Sequence, residues 1–246
     1  QPGKDSLLPV LLGGALRGFI NQYQCYLRNL LACIWKRRVI PYINMKKLII
    51  VIMFVAVGGN VLASRPPENL PGIIAISHAS AVVEWDEATV FVDPVGEQSQ
   101  YAPYGTPDIV VITHIHRDHL SVDTMIGMIS RETVVLAPQS VIDELPLMIA
   151  NNTIRPFEAG TTQEILGITF AAVPAYNIRP EARQYHPRSR GDIGVVMDVG
   201  GTRVYFSGDT EGTPEMLALE NIDTAVVAMN LPFTMGVEAA AQAVAV

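Results

Sequence analysis

Beyond residue 72 the chain is written in short apolar runs set close together. Ile73–Ile76, Ala81–Trp85, Thr89–Val92, Ile109–Ile112 and Val134–Leu136 are too short for helices and rich in β-branched residues, so they predict strands, the early ones antiparallel. Ile154, Ile165–Phe170, Ile193–Val199 and Arg203–Phe206 predict a second set, with Gly200-Gly201 as a hairpin turn. Ala172–Asn177 reads as a further strand. Helical patterns lie at Ser140–Ala150, with Ser140 able to cap it, and at Thr213–Glu220, with Pro214 in the first turn. Ile222–Ala228 reads as a buried strand, and an alanine-rich helix follows from Glu238. Strands then helix, twice over, suits an α/β fold of two sheets packed face to face with helices outside.

The N-terminal part has a different pattern. Met45, Lys46 and Lys47 precede the apolar run Leu48–Val57, and Val61-Leu62-Ala63 follows it. That order reads as a signal peptide over residues 45–63 with cleavage before Ser64, which predicts a secreted or periplasmic product. The run is short for a membrane span, so no stable span is expected in the mature form. Residues 1–44 contain no methionine, are basic and hold both cysteines; they read as an upstream, non-native extension, the other reading being a genuine basic segment. Residues 64–72 are a proline-rich linker and 73–246 one domain. The alanine-rich helix has no Gly or Pro stop, so the expectation is a fragment whose domain lacks its C-terminal strand.

Removing residues 1–63 changes the charge balance. The whole chain carries a formal −7, but the body from Ser64 has nine basic side chains, all arginine, against 23 acidic ones, a formal −14. Nucleic-acid affinity rests on clustered cations, so such a partner is not expected. The body has no cysteine, so disulfides and thiolate metal sites are excluded there.

The chemistry concentrates in Thr113-His114-Ile115-His116-Arg117-Asp118-His119-Leu120, which holds three of the five histidines. Neutral imidazole and carboxylate are the ligands that Zn²⁺ and similar ions prefer. Residues two apart in extended chain project to one side, so His114 and His116 can grip one ion. Asp118 and His119 follow at the turn and can face a second.

The His114-x-His116-x-Asp118-His119 segment resembles the metal-binding signature of the metallo-β-lactamase superfamily. Ile76-Ser77-His78-Ala79-Ser80, Val92-Asp93-Pro94 and Ser207-Gly208-Asp209-Thr210 fit its pattern in order. Met229–Met235 with Glu238-Ala239-Ala240 resembles the branch of ascorbate-phosphate lactonase-like and N-acyl-phosphatidylethanolamine phospholipase D-like hydrolases. The resemblance implies a four-layer αββα sandwich of two mixed sheets. It also implies two ions, zinc first with manganese or iron open, bridged by Asp209. The implied chemistry is hydrolysis by metal-bound hydroxide, with Asp118 orienting the nucleophile. A lactone or phosphodiester-type small substrate is favoured over a β-lactam or amide. A diiron oxidoreductase of this fold would carry H-x-E-x-D, which this sequence does not. A catalytically degenerate metal-binding module stays open, because the strand Ala172–Asn177 lacks the histidine that the family supplies there.

That gap leaves His186 with two readings, ligand or substrate contact. His78 reads as a structural residue or as one that supports a ligand from behind. Asp93 either orients a ligating imidazole or shapes the turn before Pro94. Tyr176, Asn177, Arg188 and Arg190 are candidate substrate contacts, and Arg179 and Arg183 extend the same basic stretch, which reads as a solvated loop or an anion clamp.

Overall fold

The structure is a computed structural model that describes residues 71–85, 88–149 and 153–245. The expected extension, the signal segment and nearly all of the linker lie outside the described residues. No helix among those described is long and apolar enough to cross a membrane.

Two mixed sheets form the centre. The first runs β1 (Gly72–Ser77), β2 (Ser80–Trp85), β3 (Ala88–Val92), β4 (Ile109–Val111), β5 (Val134–Ala137), β6 (Thr153–Pro156) in spatial order. Its first three strands are antiparallel and the rest parallel. The second has the order β11 (Thr224–Val226), β10 (Thr202–Phe206), β9 (Ile193–Val199), β8 (Ile168–Pro174), β7 (Thr162–Ile165). Only β10 and β11 pair in parallel there.

Side-chain alternation along each strand divides the core into layers. Val83, Val90, Ile109 and Val111 meet Phe170, Ile193, Val195 and Phe206 between the sheets. On the outer face of the first sheet Val82, Phe91 and Val110 pack with Tyr101, Met125 and Val141. On the outer face of the second, Val196, Tyr205 and Ala225 pack with Met216, Met235 and Ala240. The covering helices are α1 (Val122–Ile126), α2 (Gln139–Ile142), α3 (Pro214–Leu217) and α4 (Val237–Ala243). The four-layer expectation therefore holds, with thin helical layers. Central strands such as β4 are buried on both faces, which explains why they read as continuous apolar runs.

Several local expectations need correction; among them, the strand expected over Ala172–Asn177 is the end of β8 and stops at Pro174, and the helix expected over Thr213–Glu220 stops at Leu217. The helix expected over 140–150 is only α2; its N-cap is Pro138, so Ser140 lies inside it. The run Ile165–Phe170 is a hairpin tip: Leu166 and Gly167 both take positive φ (50° and 75°), and the chain reverses between β7 and β8. Helix α1, capped by the Ser121 side chain on Thr124 N, has no counterpart in the sequence reading. The Gly200-Gly201 turn is present, with both φ positive.

The pairing pattern positions the chemistry. β1, β3 and β4 end at the same edge of the first sheet, which brings His78, Asp93 and His114 together. β8 and β10 run in the same direction with β9 between them, so Asn177, Asp192 and Asp209 share the facing edge of the second. A hydrogen bond from Ile193 N to Thr113 O at 3.1 Å joins the two edges.

Candidate metal centre

Four of the side chains gathered at this edge form one cluster, His114, His116, His186 and Asp209; three form another, His78, Asp118 and His119. In each the potential ligand atoms lie within 4.8 Å of one another, and each set could hold a metal ion. Asp209 stands between them. Its Oδ2 is 3.3 Å from His186 Nε2 and its Oδ1 is 3.4 Å from His119 Nε2. The turn that presents Asp209 depends on Gly208, at φ 57°, where a Cβ would stand 2.6 Å from Ile193 O.

The hydrogen bonds fix which ring nitrogens face inward. Asp93, buried at the end of β3, accepts from Thr113 N and Thr113 Oγ1 at 2.7 Å each, and its Oδ2 lies 2.7 Å from His119 Nδ1. A carboxylate only accepts, so in the neutral ring Nδ1 carries the His119 proton, and Nε2 is the nitrogen that gives up its proton to expose a lone pair. That Nε2 is buried without a hydrogen-bond partner. Thr113 Oγ1 has given its one proton to Asp93, so it accepts from His114 Nδ1 at 3.0 Å, and His114 Nε2 faces inward. An orphaned buried imidazole nitrogen, next to imidazole and carboxylate donors with no thiolate, fits a divalent cation such as zinc, manganese or iron.

The electrostatics are those of a cluster arranged around positive charge. Burial pushes His114 well below the usual histidine range, helped by His119. His116 is lowered by burial and by Arg190. Burial also opposes a proton on His119, but Asp93 and Asp209 override it and hold its pKa at about 10. His186 is raised too: burial opposes, Asp192 and Asp209 prevail. Burial would raise Asp209, yet His119 and His186 hold it far below the carboxylate range. Asp118 is lowered by its hydrogen bond from His78.

Of the expected site residues, His114, His116, His186, Asp118, His119 and Asp209 are all brought together, and His78 lies beside them with its Nε2 2.9 Å from Asp118 Oδ2. Arg190 also reaches the cluster: its Nη1 is 3.0 Å from His116 Nε2, and it pairs with Asp192, Nε to Oδ1 at 2.7 Å. The other expected substrate contacts are engaged elsewhere. Asn177 Nδ2 donates to Phe233 O (2.6 Å) and Ala182 O (3.0 Å). Tyr176 OH donates to Glu215, and Arg188 pairs with Glu215 while stacking over the Tyr176 ring. Arg179 pairs with Glu211 and Arg183 donates to Ile178 O. The sequence reading did not single out Thr113, Asp192 or Glu211, each buried beside the site or its supporting loop.

Comparison with known proteins agrees with this geometry. The sequence profile described as "Beta-lactamase superfamily domain" matches residues 73–246. A UPF0173 metal-dependent hydrolase of Methanosarcina mazei is 27% identical over 179 residues, covering 69% of this chain and 75% of its own. A structure from Parabacteroides distasonis, assigned as a metal-dependent hydrolase, is 36% identical with a TM-score of 0.62, covering 70% of this chain and 76% of that one. A metallo hydrolase of Ignicoccus hospitalis shares the fold at 20% identity and a TM-score of 0.57, covering 70% of this chain and 76% of its own.

Proposed function

The chain belongs to the beta-lactamase superfamily, and from that premise we propose that it is a dinuclear metal-dependent hydrolase, with zinc the first candidate, acting on a lactone or phosphodiester-type small substrate. One observation carries the dinuclear reading: Asp209 turns one oxygen toward each cluster, at 3.3 Å and 3.4 Å from an imidazole nitrogen of each. Two cations bound there would lower the pKa of a water and polarise the oxygen of the bond to be cleaved.

The chain's own residues do the rest. His114, His116 and His186 supply the first set, and Asp118 and His119 the second, with Asp209 shared. Asp93 locks the His119 ring through Nδ1, as outer-shell carboxylates do. Asp118, half exposed, can accept a hydrogen bond from the attacking water and orient it. The substrate class is supported by the arginines. Arg179, Arg188 and Arg190 are each paired with a carboxylate and Arg183 with a carbonyl. A highly charged phosphomonoester would find these four already engaged, whereas a neutral lactone or singly charged diester does not need them.

The test is elemental analysis with turnover of model lactones and phosphodiesters. About two equivalents of zinc, with hydrolysis abolished by a chelator and restored by zinc, is expected. Turnover undiminished in metal-free protein would overturn the reading. Export is part of the proposal: the natural protein should start at Ser64, and recovery of residues 1–44 in it would overturn that part.

A further inference from the structure

His78 stands outside the local histidine motif, on the turn between β1 and β2. We propose that it is a direct ligand of the second cation, through Nε2, completing a set with Asp118, His119 and one oxygen of Asp209. The inference rests on the dinuclear reading above and goes beyond it by assigning a ligand that the motif does not contain.

Three observations carry it. The first is aim. His78 Nε2 is 2.9 Å from Asp118 Oδ2, and the ligand atoms of His78, Asp118 and His119 lie within 4.8 Å of one another. Separations of about 3 Å between donor atoms are what bonds of about 2.0–2.2 Å to a common cation produce. The second is the opposing nitrogen. His119 Nε2 is buried without a hydrogen-bond partner, while its other nitrogen is held by Asp93. The third is the backbone. His78 has φ 53°, in the left-handed region, and the β1–β2 register shifts between Ala75 and Ser77 beside it. Glycine or asparagine would adopt that turn at less cost. Here that turn aims the ring at Asp118.

The competing role is a hydrogen bond to Asp118 alone. The two roles differ in the fate of one proton. As a mere partner of Asp118, His78 keeps its Nε2 proton when both cations are bound. As a ligand it gives up that proton, and the neutral ring carries its hydrogen on Nδ1 instead.

The experiment uses the full chain, stripped of metal and titrated with zinc against a competing chelator. Histidine ring nitrogens are followed by ¹⁵N NMR. His78→Asn and His78→Gly are compared with the parent; both suit a positive φ, and circular dichroism checks that they fold. The parent should bind in two steps. In both variants the tighter step should stay within about twofold, while the weaker step loses at least about 100-fold, beyond the 10–100-fold cost of removing an outer partner. The His78 Nε2 resonance should lose its proton at the second equivalent. Unchanged second-step affinity in the folded variants, or an Nε2 that stays protonated with two equivalents bound, would overturn the His78 assignment and leave the dinuclear reading standing. A parent that binds one equivalent or none would overturn both.

Discussion

The two clusters are built from the same side-chain chemistry but in different surroundings. His114 and His186 are buried to within 1% exposure, and His186 rests against the buried Asp192, which Arg190 pairs. His78 and Asp118 leave 39% and 46% of their side chains exposed, and only His119 of that set is enclosed. A buried, braced set favours retention of a cation; a half-open set gives access to water and substrate. The division of labour is thus a matter of packing, and Asp209 couples the two.

The largest effect should come from cutting that coupling. His116→Ala combined with Asp209→Ala should strip most of the metal from both clusters and lower turnover by at least roughly two to three orders of magnitude, the scale of removing one electrostatic contributor to a transition state. Elemental analysis showing unchanged metal in the double variant would break the comparison at its centre.

Next comes Asp93, which serves one side only. It is buried, and Asp93→Ala leaves Thr113 N and His119 Nδ1 without their acceptor. The second cation should weaken by roughly 10–100-fold with the first little changed. The metal-free protein gives a pH test of the same contact. Its folded His119 keeps a proton up to about pH 10, while the unfolded chain releases it near 6.5. Between those values the folded state binds the extra proton, so this contribution to stability is full below about 6.5 and is lost as pH rises toward 10. Thermal melts of metal-free protein should show that decline, and the Asp93→Ala variant should flatten it.

Legibility in the sequence followed the range of the interaction. His114, His116, Asp118 and His119 announce themselves because one strand end and one turn place them. The Gly200-Gly201 hairpin is marked by its glycines, but Leu166-Gly167 is hidden inside the apolar string Ile165–Phe170, where tertiary pairing and not composition sets the reversal. The helix after Pro138 ends at Ile142, and Pro146 inside the expected stretch could not have continued it. Asp192 was not legible at all, and His78 was legible only as a structural residue or a support for a ligand. Each becomes adjacent to the cluster only through strand order, which brings the ends of β1, β3 and β4 to one edge and the start of β9 to the facing one.

Arg190 offers a sharper prediction of opposite signs. Its Nη1 can only donate, so in the cation-free arrangement His116 Nε2 accepts, and Nδ1–H points to His114 Nε2 at 3.2 Å. Loading a cation between His114 and His116 requires that proton to leave Nδ1 and Arg190 to release the ring. Arg190→Gln removes the competing charge and leaves Asp192 negative nearby, so the first cation should bind roughly tenfold more tightly. The same change takes the guanidinium from the buried Asp192 carboxylate, leaving it only His186, and should cost about 1.5–3 kcal/mol of fold stability. Calorimetric titration and chemical denaturation read the two signs; weaker first-site binding in a folded variant would show that Arg190 braces the site instead of opposing it.

The smallest effect should come from Arg188, which marks where the site ends. It is as basic as Arg190 and two residues away, but its side chain is 70% exposed and pairs with Glu215 rather than with the cluster. Exposed pairs contribute at most about 1 kcal/mol, and the stacking on Tyr176 adds a similar amount at a solvent-facing position. Arg188→Ala should therefore lower stability by about 2 kcal/mol at most and leave both metal-binding steps unaltered. For a lactone, turnover should also be unchanged. A drop in KM-dependent turnover confined to phosphodiesters would mean that Arg188 leaves Glu215 to meet the substrate's phosphate, and the boundary drawn between the cluster and its basic loop would have to move outward.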